Sequence, residues 1–166
     1  SKIKVLSVMG ARPQFIKAGT VSNLIKKDEQ IQELIIHTGQ HFDKNMSKIF
    51  FDELSIPIPK YNLSISGLSH GAMTGRMLEK IESILIKEKP ELVLVYGDTD
   101  STLAGSLAAS KLEIPLAHVE AGLRSKNFSM PEEKNRILTD SLSQLLFCPS
   151  SIAIENLKRE NITQGV

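Results

Sequence analysis

Short apolar runs recur along this chain, and a stretch of helical periodicity separates each from the next. That alternation constrains the fold more than any other feature of the sequence. Residues 3–9 read as a buried strand, and 14–27 as a helix with Phe15, Ala18, Val21, Leu24 and Ile25 on one face. A second strand is expected at 34–38, a helix at 42–54 that ends near Pro57 and Pro59, and a short strand at 61–63. The longest helix is expected at 69–89, with Met73, Met77, Ile81, Ile84 and Leu85 as its apolar stripe. Strands at 92–96, 115–119 and 145–148 then alternate with helices at 101–112, 131–144 and from Ser150 or Ser151 to Glu160. Strands separated by helices imply an α/β fold with a parallel sheet and right-handed crossovers. The expectation is a Rossmann-like, doubly wound sheet in the order 3-2-1-4-5-6.

Composition sets the broad class. Twenty Lys and Arg stand against nineteen Asp and Glu in 166 residues, a formal net charge of +1. The balance argues against a nucleic-acid or membrane-surface partner, since such proteins carry a basic excess. No apolar run approaches the ~20 residues of a membrane span. One cysteine allows no internal disulfide, and no secretory leader is visible at the start, so a reducing, cytoplasmic setting is expected. The length fits one domain.

In the expected order, the first and fourth strands are neighbours, and ligands bind beyond their carboxyl ends. The loops at 10–13, 97–101 and 120–124 then line one crevice. Gly10-Ala11-Arg12-Pro13 leads into a helix whose N-terminus favours anions, and Arg12 and Lys17 add positive charge. A plain strand-to-helix turn with a solvated Arg12 fits that pattern equally well. In Gly97-Asp98-Thr99-Asp100-Ser101, Asp98 or Asp100 suits the role of helix cap. Their Asp-x-Asp spacing is also that of a metal–nucleotide motif in one glycosyltransferase class. Glu120 ends an apolar strand at the crevice mouth, where an ion pair with Arg124 is the simplest account. His118, inside that strand, reads as a satisfied core histidine, and Cys148 as an inert thiol. Carboxylates, cations and a histidine around one crevice, with few aromatic residues, suit acid–base work on an anionic ligand such as a sugar phosphate.

Five segments together carry a resemblance. They are Gly-Ala-Arg-Pro-Gln-Phe-Ile-Lys from Gly10, His-Thr-Gly-Gln-His from His37, Tyr-Gly-Asp-Thr-Asp-Ser-Thr-Leu-Ala-Gly from Tyr96, His-Val-Glu-Ala-Gly-Leu-Arg-Ser from His118 and Met-Pro-Glu-Glu-Lys-Asn-Arg from Met130. In type, order and spacing they resemble the non-hydrolysing UDP-N-acetylglucosamine 2-epimerases. The resemblance implies a two-domain architecture like that of the B-type glycosyltransferases, with residues 1–166 as the N-terminal domain and the UDP-binding C-terminal domain outside this sequence. It implies interconversion of UDP-N-acetylglucosamine and UDP-N-acetylmannosamine by elimination and re-addition of UDP. Asp98, Glu120 and Glu132 match the family's catalytic acids, and Arg12 and Lys17 its basic pair at the ligand. Gln40, His41 and Arg76 match positions that touch a second, activating UDP-sugar in regulated members. No metal or other cofactor is implied, and a homodimer is implied for the whole enzyme. Ala11, Gln14 and Asp100 depart from the commonest family pattern, and the forms around Gly10 and Met130 are similar to a branch acting on modified UDP-sugars such as diacetamido-uronic acids.

Overall fold

A computed structural model describes residues 1–41 and 44–166. The elements run β1 (Ile3–Met9), α1 (Arg12–Lys27), β2 (Ile31–His37), α2 (Lys48–Leu54), β3 (Tyr61–Asn62), α3 (His70–Glu88), β4 (Leu92–Tyr96), α4 (Asp100–Lys111), β5 (Leu116–Val119), α5 (Pro131–Leu142), β6 (Leu145–Phe147) and α6 (Ser151–Arg159). The strands form one sheet in the order β3-β2-β1-β4-β5-β6, with every pairing parallel, as the alternation predicts. The central strand β1 pairs with β2 from Ile3–Ile31 to Met9–His37 and with β4 from Val5–Leu92 to Val8–Val95.

Side chains of a strand alternate between faces, so each central strand feeds two cores. Leu6 and Val8 of β1 and Val93 and Val95 of β4 pack against the α3 stripe and the small residues of α4. Val5, Met9, Leu94 and Tyr96 point the other way, against Phe15 and Ala18 of α1 and Phe50 and Phe51 of α2. A methyl group on Gly105 of α4 would sit 3.1 Å from Val95 and 3.2 Å from Val8. The missing side chain lets that helix approach the sheet. Ala121, Leu146 and Leu157 form a smaller cluster under α6.

The structure corrects some boundaries. Leu24 is 63% exposed rather than part of the α1 core face. At 3.6 residues per turn it falls about half a turn round from Phe15. The buried face instead carries Gln14, Phe15, Ala18, Gly19 and Ser22. Strand β2 begins at Ile31, earlier than its apolar residues suggest, because backbone pairing to β1 does not require apolar side chains at Gln32 and Glu33. Of the helix expected at 42–54, only Lys48–Leu54 is helical. Residues 44–47 are not helical, and 42 and 43 lie outside the described residues. Helix α3 ends at Glu88 with Lys89 in the left-handed region. Pro90 disfavours helical geometry at the residue before it.

Candidate active site

The loops after β1, β4 and β5 meet at the carboxyl edge of the sheet, as the expected topology requires. They enclose a cavity of about 450 Å³ lined by Arg12, Gln14, Lys17, His41, Asp98, Glu120 and Arg136, among others. Cation and carboxylate alternate within it. Lys17 Nζ lies 2.7 Å from Glu120 Oε2, and Arg136 Nη2 lies 2.7 Å from Asp98 Oδ2. The expected partnership of Glu120 with Arg124 does not form. Arg124 turns away to Asp140 (2.8 Å) and, through Nε and Nη2, to Glu160 (2.8 and 2.9 Å). Glu120 itself adopts φ +73° in the turn. A non-glycine residue in that region is strained, and such strain concentrates at functional positions.

The main chain around the cavity is fixed by Gln14, which sequence reasoning passed over. Its Oε1 accepts from Gly10 N at 2.8 Å, and its Nε2 donates to Tyr96 O at 3.0 Å and Thr99 Oγ1 at 3.1 Å. One buried amide thus ties the start of α1 to the end of β4. Thr99, rather than either neighbouring aspartate, caps α4, in a reciprocal arrangement with Thr102. The two carboxylates of Asp98-Thr99-Asp100 face different partners. Asp98 meets Arg136 at the cavity, whereas buried Asp100 takes His70 Nδ1 at 2.7 Å and Asn135 Nδ2 at 3.3 Å. The bond to Asp100, together with its charge, holds His70 above the usual histidine range. Asn135 also donates to Asp98 O at 3.0 Å, so α5 braces the loop twice.

Arg12, Lys17, Asp98, Glu120 and His41 are therefore brought together, while Glu132, Gln40 and Arg76 lie outside the cavity lining. Glu132 is half-buried in the first turn of α5. Arg76 is exposed on α3. Gln40 is buried, and its Oε1 accepts from Ser101 N at 3.0 Å and Ser101 Oγ at 2.6 Å, holding the start of α4. Arg12 stacks its guanidinium 5.3 Å from the Phe50 ring centroid. Glu133 is a structural anchor: its carboxylate accepts from Ser125 N at 3.0 Å, Lys126 N at 2.6 Å and Arg136 at 3.3 Å. Burial pushes Glu133 up, but those hydrogen bonds outweigh it, and the carboxyl titrates below the usual range. The site residues missed by the sequence reading are Gln14 and Arg136. Both stand inside the segments that carry the resemblance, Arg136 one helical turn beyond Glu132 and Glu133 and Gln14 as a departure from the commonest pattern, but neither is given a role there.

His118 is fully buried with both ring nitrogens partnered, as expected of a core histidine. Burial pushes the Cys148 thiol up, away from the reactive thiolate. Among the described residues, no helix is long and apolar enough to cross a membrane.

Comparison with known proteins bears on what this arrangement is for. The sequence profile of the family described as UDP-N-acetylglucosamine 2-epimerase matches residues 23–166. A UDP-2,3-diacetamido-2,3-dideoxy-D-glucuronate 2-epimerase of Pseudomonas aeruginosa is 63% identical over 95% of this chain and 45% of its own length. A UDP-N-acetylglucosamine 2-epimerase homolog of Methanococcus maripaludis is 60% identical over 99% of this chain and 45% of its own. The crystal structure of Methanocaldococcus jannaschii UDP-GlcNAc 2-epimerase in complex with UDP-GlcNAc and UDP superposes with a TM-score of 0.92 at 52% identity, covering 98% of this chain and 44% of that one. The chain thus spans about 45% of the length of these relatives. The family match over most of the chain, the identities above and the shared fold agree, and the chain belongs to the UDP-N-acetylglucosamine 2-epimerase family.

Proposed function

We propose that this chain is the N-terminal domain of a two-domain enzyme that inverts carbon 2 of a UDP-activated 2-acetamido sugar, converting UDP-N-acetylglucosamine to UDP-N-acetylmannosamine. The observation that carries the reading is the pair of cavity carboxylates, Asp98 and Glu120, each held by a cation. Loss of UDP from carbon 1 builds positive charge on the sugar ring, which a carboxylate stabilises. The proton on carbon 2 leaves in the same elimination, giving a glycal and UDP. Re-addition returns a proton to the opposite face, so acid–base groups are needed on both sides of the ring. Asp98 and Glu120 supply them from the cavity, and Glu132 at the start of α5, outside the lining, is the third acid of the proposal. Arg12 and Lys17 meet the diphosphate, whose charge grows as the bond to carbon 1 breaks.

Three cationic side chains against two carboxylates in the lining favour an anionic ligand of this kind. The C-terminal domain closes the other side of the cleft and excludes water, so the first domain alone turns over no substrate. No metal or redox group enters the scheme. A second UDP-sugar acts as activator at a site formed by Gln40, His41 and Arg76. The whole enzyme works as a homodimer in the cytoplasm.

A second substrate reading rests on the 63% identity to the Pseudomonas aeruginosa protein, whose substrate is a diacetamido-uronate. Both sugars belong in the test. The full-length enzyme is incubated in deuterium oxide with each UDP-sugar, and recovered substrate and product are analysed by mass spectrometry and proton NMR. Deuterium at carbon 2 of the epimer is expected. Conversion without deuterium at carbon 2 rules out elimination and re-addition. A higher kcat/KM on the diacetamido-uronate assigns the enzyme to that substrate.

A further inference from the structure

His118 is a wholly buried imidazole in β5 for which the chemistry above has no use. Its Nδ1 lies 2.6 Å from Asp140 Oδ1, and its Nε2 lies 2.7 Å from the carbonyl oxygen of Gly97. Carboxylate and carbonyl oxygens accept and never donate, so both ring nitrogens donate. On the far side of Asp140, Oδ2 accepts from Gly122 N at 3.0 Å and from Arg124 Nη1 at 2.8 Å. One continuous chain of hydrogen bonds therefore runs from the residue before Asp98 to the turn after Glu120. Those two loops also touch directly. Gly97 N donates to Val119 O at 3.1 Å, and a methyl group on Gly97 would lie 3.8 Å from Glu120 Oε1. The Glu120 carboxylate thus lies close to the residue whose carbonyl His118 holds.

An apolar side chain would fill the same space with less desolvation, yet it would leave the Gly97 carbonyl and one Asp140 oxygen without the donor they now have. The strained backbone of Glu120 needs such over-determination from its surroundings to persist. We propose that His118 is a positioning residue for the carbon-2 chemistry, setting the spacing of Asp98 and Glu120 by clamping Gly97 to Asp140. The inference rests on the epimerase reading above. Its consequence is specific to the intermediate. When the two carboxylates drift apart, proton loss and proton return no longer occur in one geometry, and the glycal escapes before UDP adds back.

His118→Asn and His118→Gln in the full-length enzyme separate this role from mere core packing. The asparagine amide takes the place of Nδ1 and keeps Asp140 but loses Gly97, whereas the glutamine amide takes the place of Nε2 and keeps Gly97. Both cost stability. For His118→Asn, kcat per folded molecule is expected to fall about 100-fold with KM little changed, since a misplacement of ~1 Å costs roughly that much. A larger share of turnovers should end in free glycal and UDP. His118→Gln is expected to regain about tenfold of the lost kcat and most of the product partition. Equal kcat in both variants, tracking only the folded fraction, with partition as in the wild type, overturns the proposal. Should neither variant accumulate as folded protein, Asp140→Asn, which keeps size and shape, is read by the same two measures. No carbon-2 exchange in the wild type overturns the epimerase reading and this proposal with it. Exchange in the wild type with unaffected variants overturns the positioning role alone.

Discussion

Lys17 Nζ lies 2.7 Å from Glu120 Oε2, joining the second turn of α1 to the strained turn after β5. The Lys17 side chain is 53% exposed and that of Glu120 23%, so the pair contributes little to folding, about 0–1 kcal/mol. Its value lies in aiming the carboxylate. Glu120→Gln and Lys17→Met in the full-length enzyme are expected to leave the melting temperature within a few degrees. Turnover should fall about 1000-fold for the first and at least about tenfold for the second. Thermal melts beside initial rates check this, and wild-type turnover by Glu120→Gln removes Glu120 from the reaction.

Gly10 marks where the sheet has no room for a side chain. A methyl group there would lie 2.3 Å from Ser101 Oγ and 2.4 Å from Thr38 Oγ1, two hydroxyls that hydrogen-bond each other at 2.8 Å. Gly10→Ala is expected to destabilise the fold by about 1–3 kcal/mol, the usual cost of overpacking. It should also lower activity, because Gly10 N is the donor that holds Gln14. A urea-denaturation midpoint unchanged from wild type would contradict the packing seen here.

Adjacent acids on α5 should behave differently. Glu133 is buried and receives two main-chain N–H groups and Arg136, so Glu133→Ala is expected to cost about 2–3 kcal/mol by stranding those donors. Glu132 is half-buried. Glu132→Gln should keep stability within about 0.5 kcal/mol and lose turnover. The comparison is made with denaturant melts and rates on the same preparations, and reversed phenotypes would reassign the two acids.

Glu88 is a stability switch remote from the cavity. Its carboxylate accepts from Tyr61 Oη at 2.6 Å, Lys60 Nζ at 2.9 Å and Lys4 Nζ at 3.3 Å, joining the end of α3 to β1 and β3. The Tyr61 bond first, then Lys60 and Lys4, hold the carboxyl down at about 2. A carboxyl depressed in the folded state stabilises above its unfolded pKa, and that contribution disappears as pH falls through the folded value. Glu88→Gln is therefore expected to cost about 2 kcal/mol at neutral pH, with the difference from wild type closing between about pH 4.5 and pH 2. Melting temperatures of both proteins across that range test it. A gap that stays constant down to pH 2 would show that the carboxylate charge is not what Glu88 contributes.

The sequence by itself determined the elements and their order, because apolar periodicity is local and reports directly on which face of a helix or strand is covered. The Met73–Leu85 stripe and the runs at β1 and β4 are of this kind, and alternation with right-handed crossovers makes the sheet parallel; the order 3-2-1-4-5-6 is the Rossmann-like expectation, one of several orders such a pattern allows, and the structure has it. The sequence also placed Arg12, Asp98 and Glu120 on one crevice edge, since topology alone says which strand ends converge. Pairing was decided only by the tertiary structure. Periodicity could not tell that Thr99 rather than Asp98 or Asp100 caps α4, or that Glu120 meets Lys17 instead of Arg124. The physical reason is range. Gln14 with Tyr96, Lys17 with Glu120 and Asp98 with Arg136 are partners far apart along the chain. Whether two charges meet across such a gap depends on backbone placement to within about an ångström, set by the packing of the whole sheet and its helices.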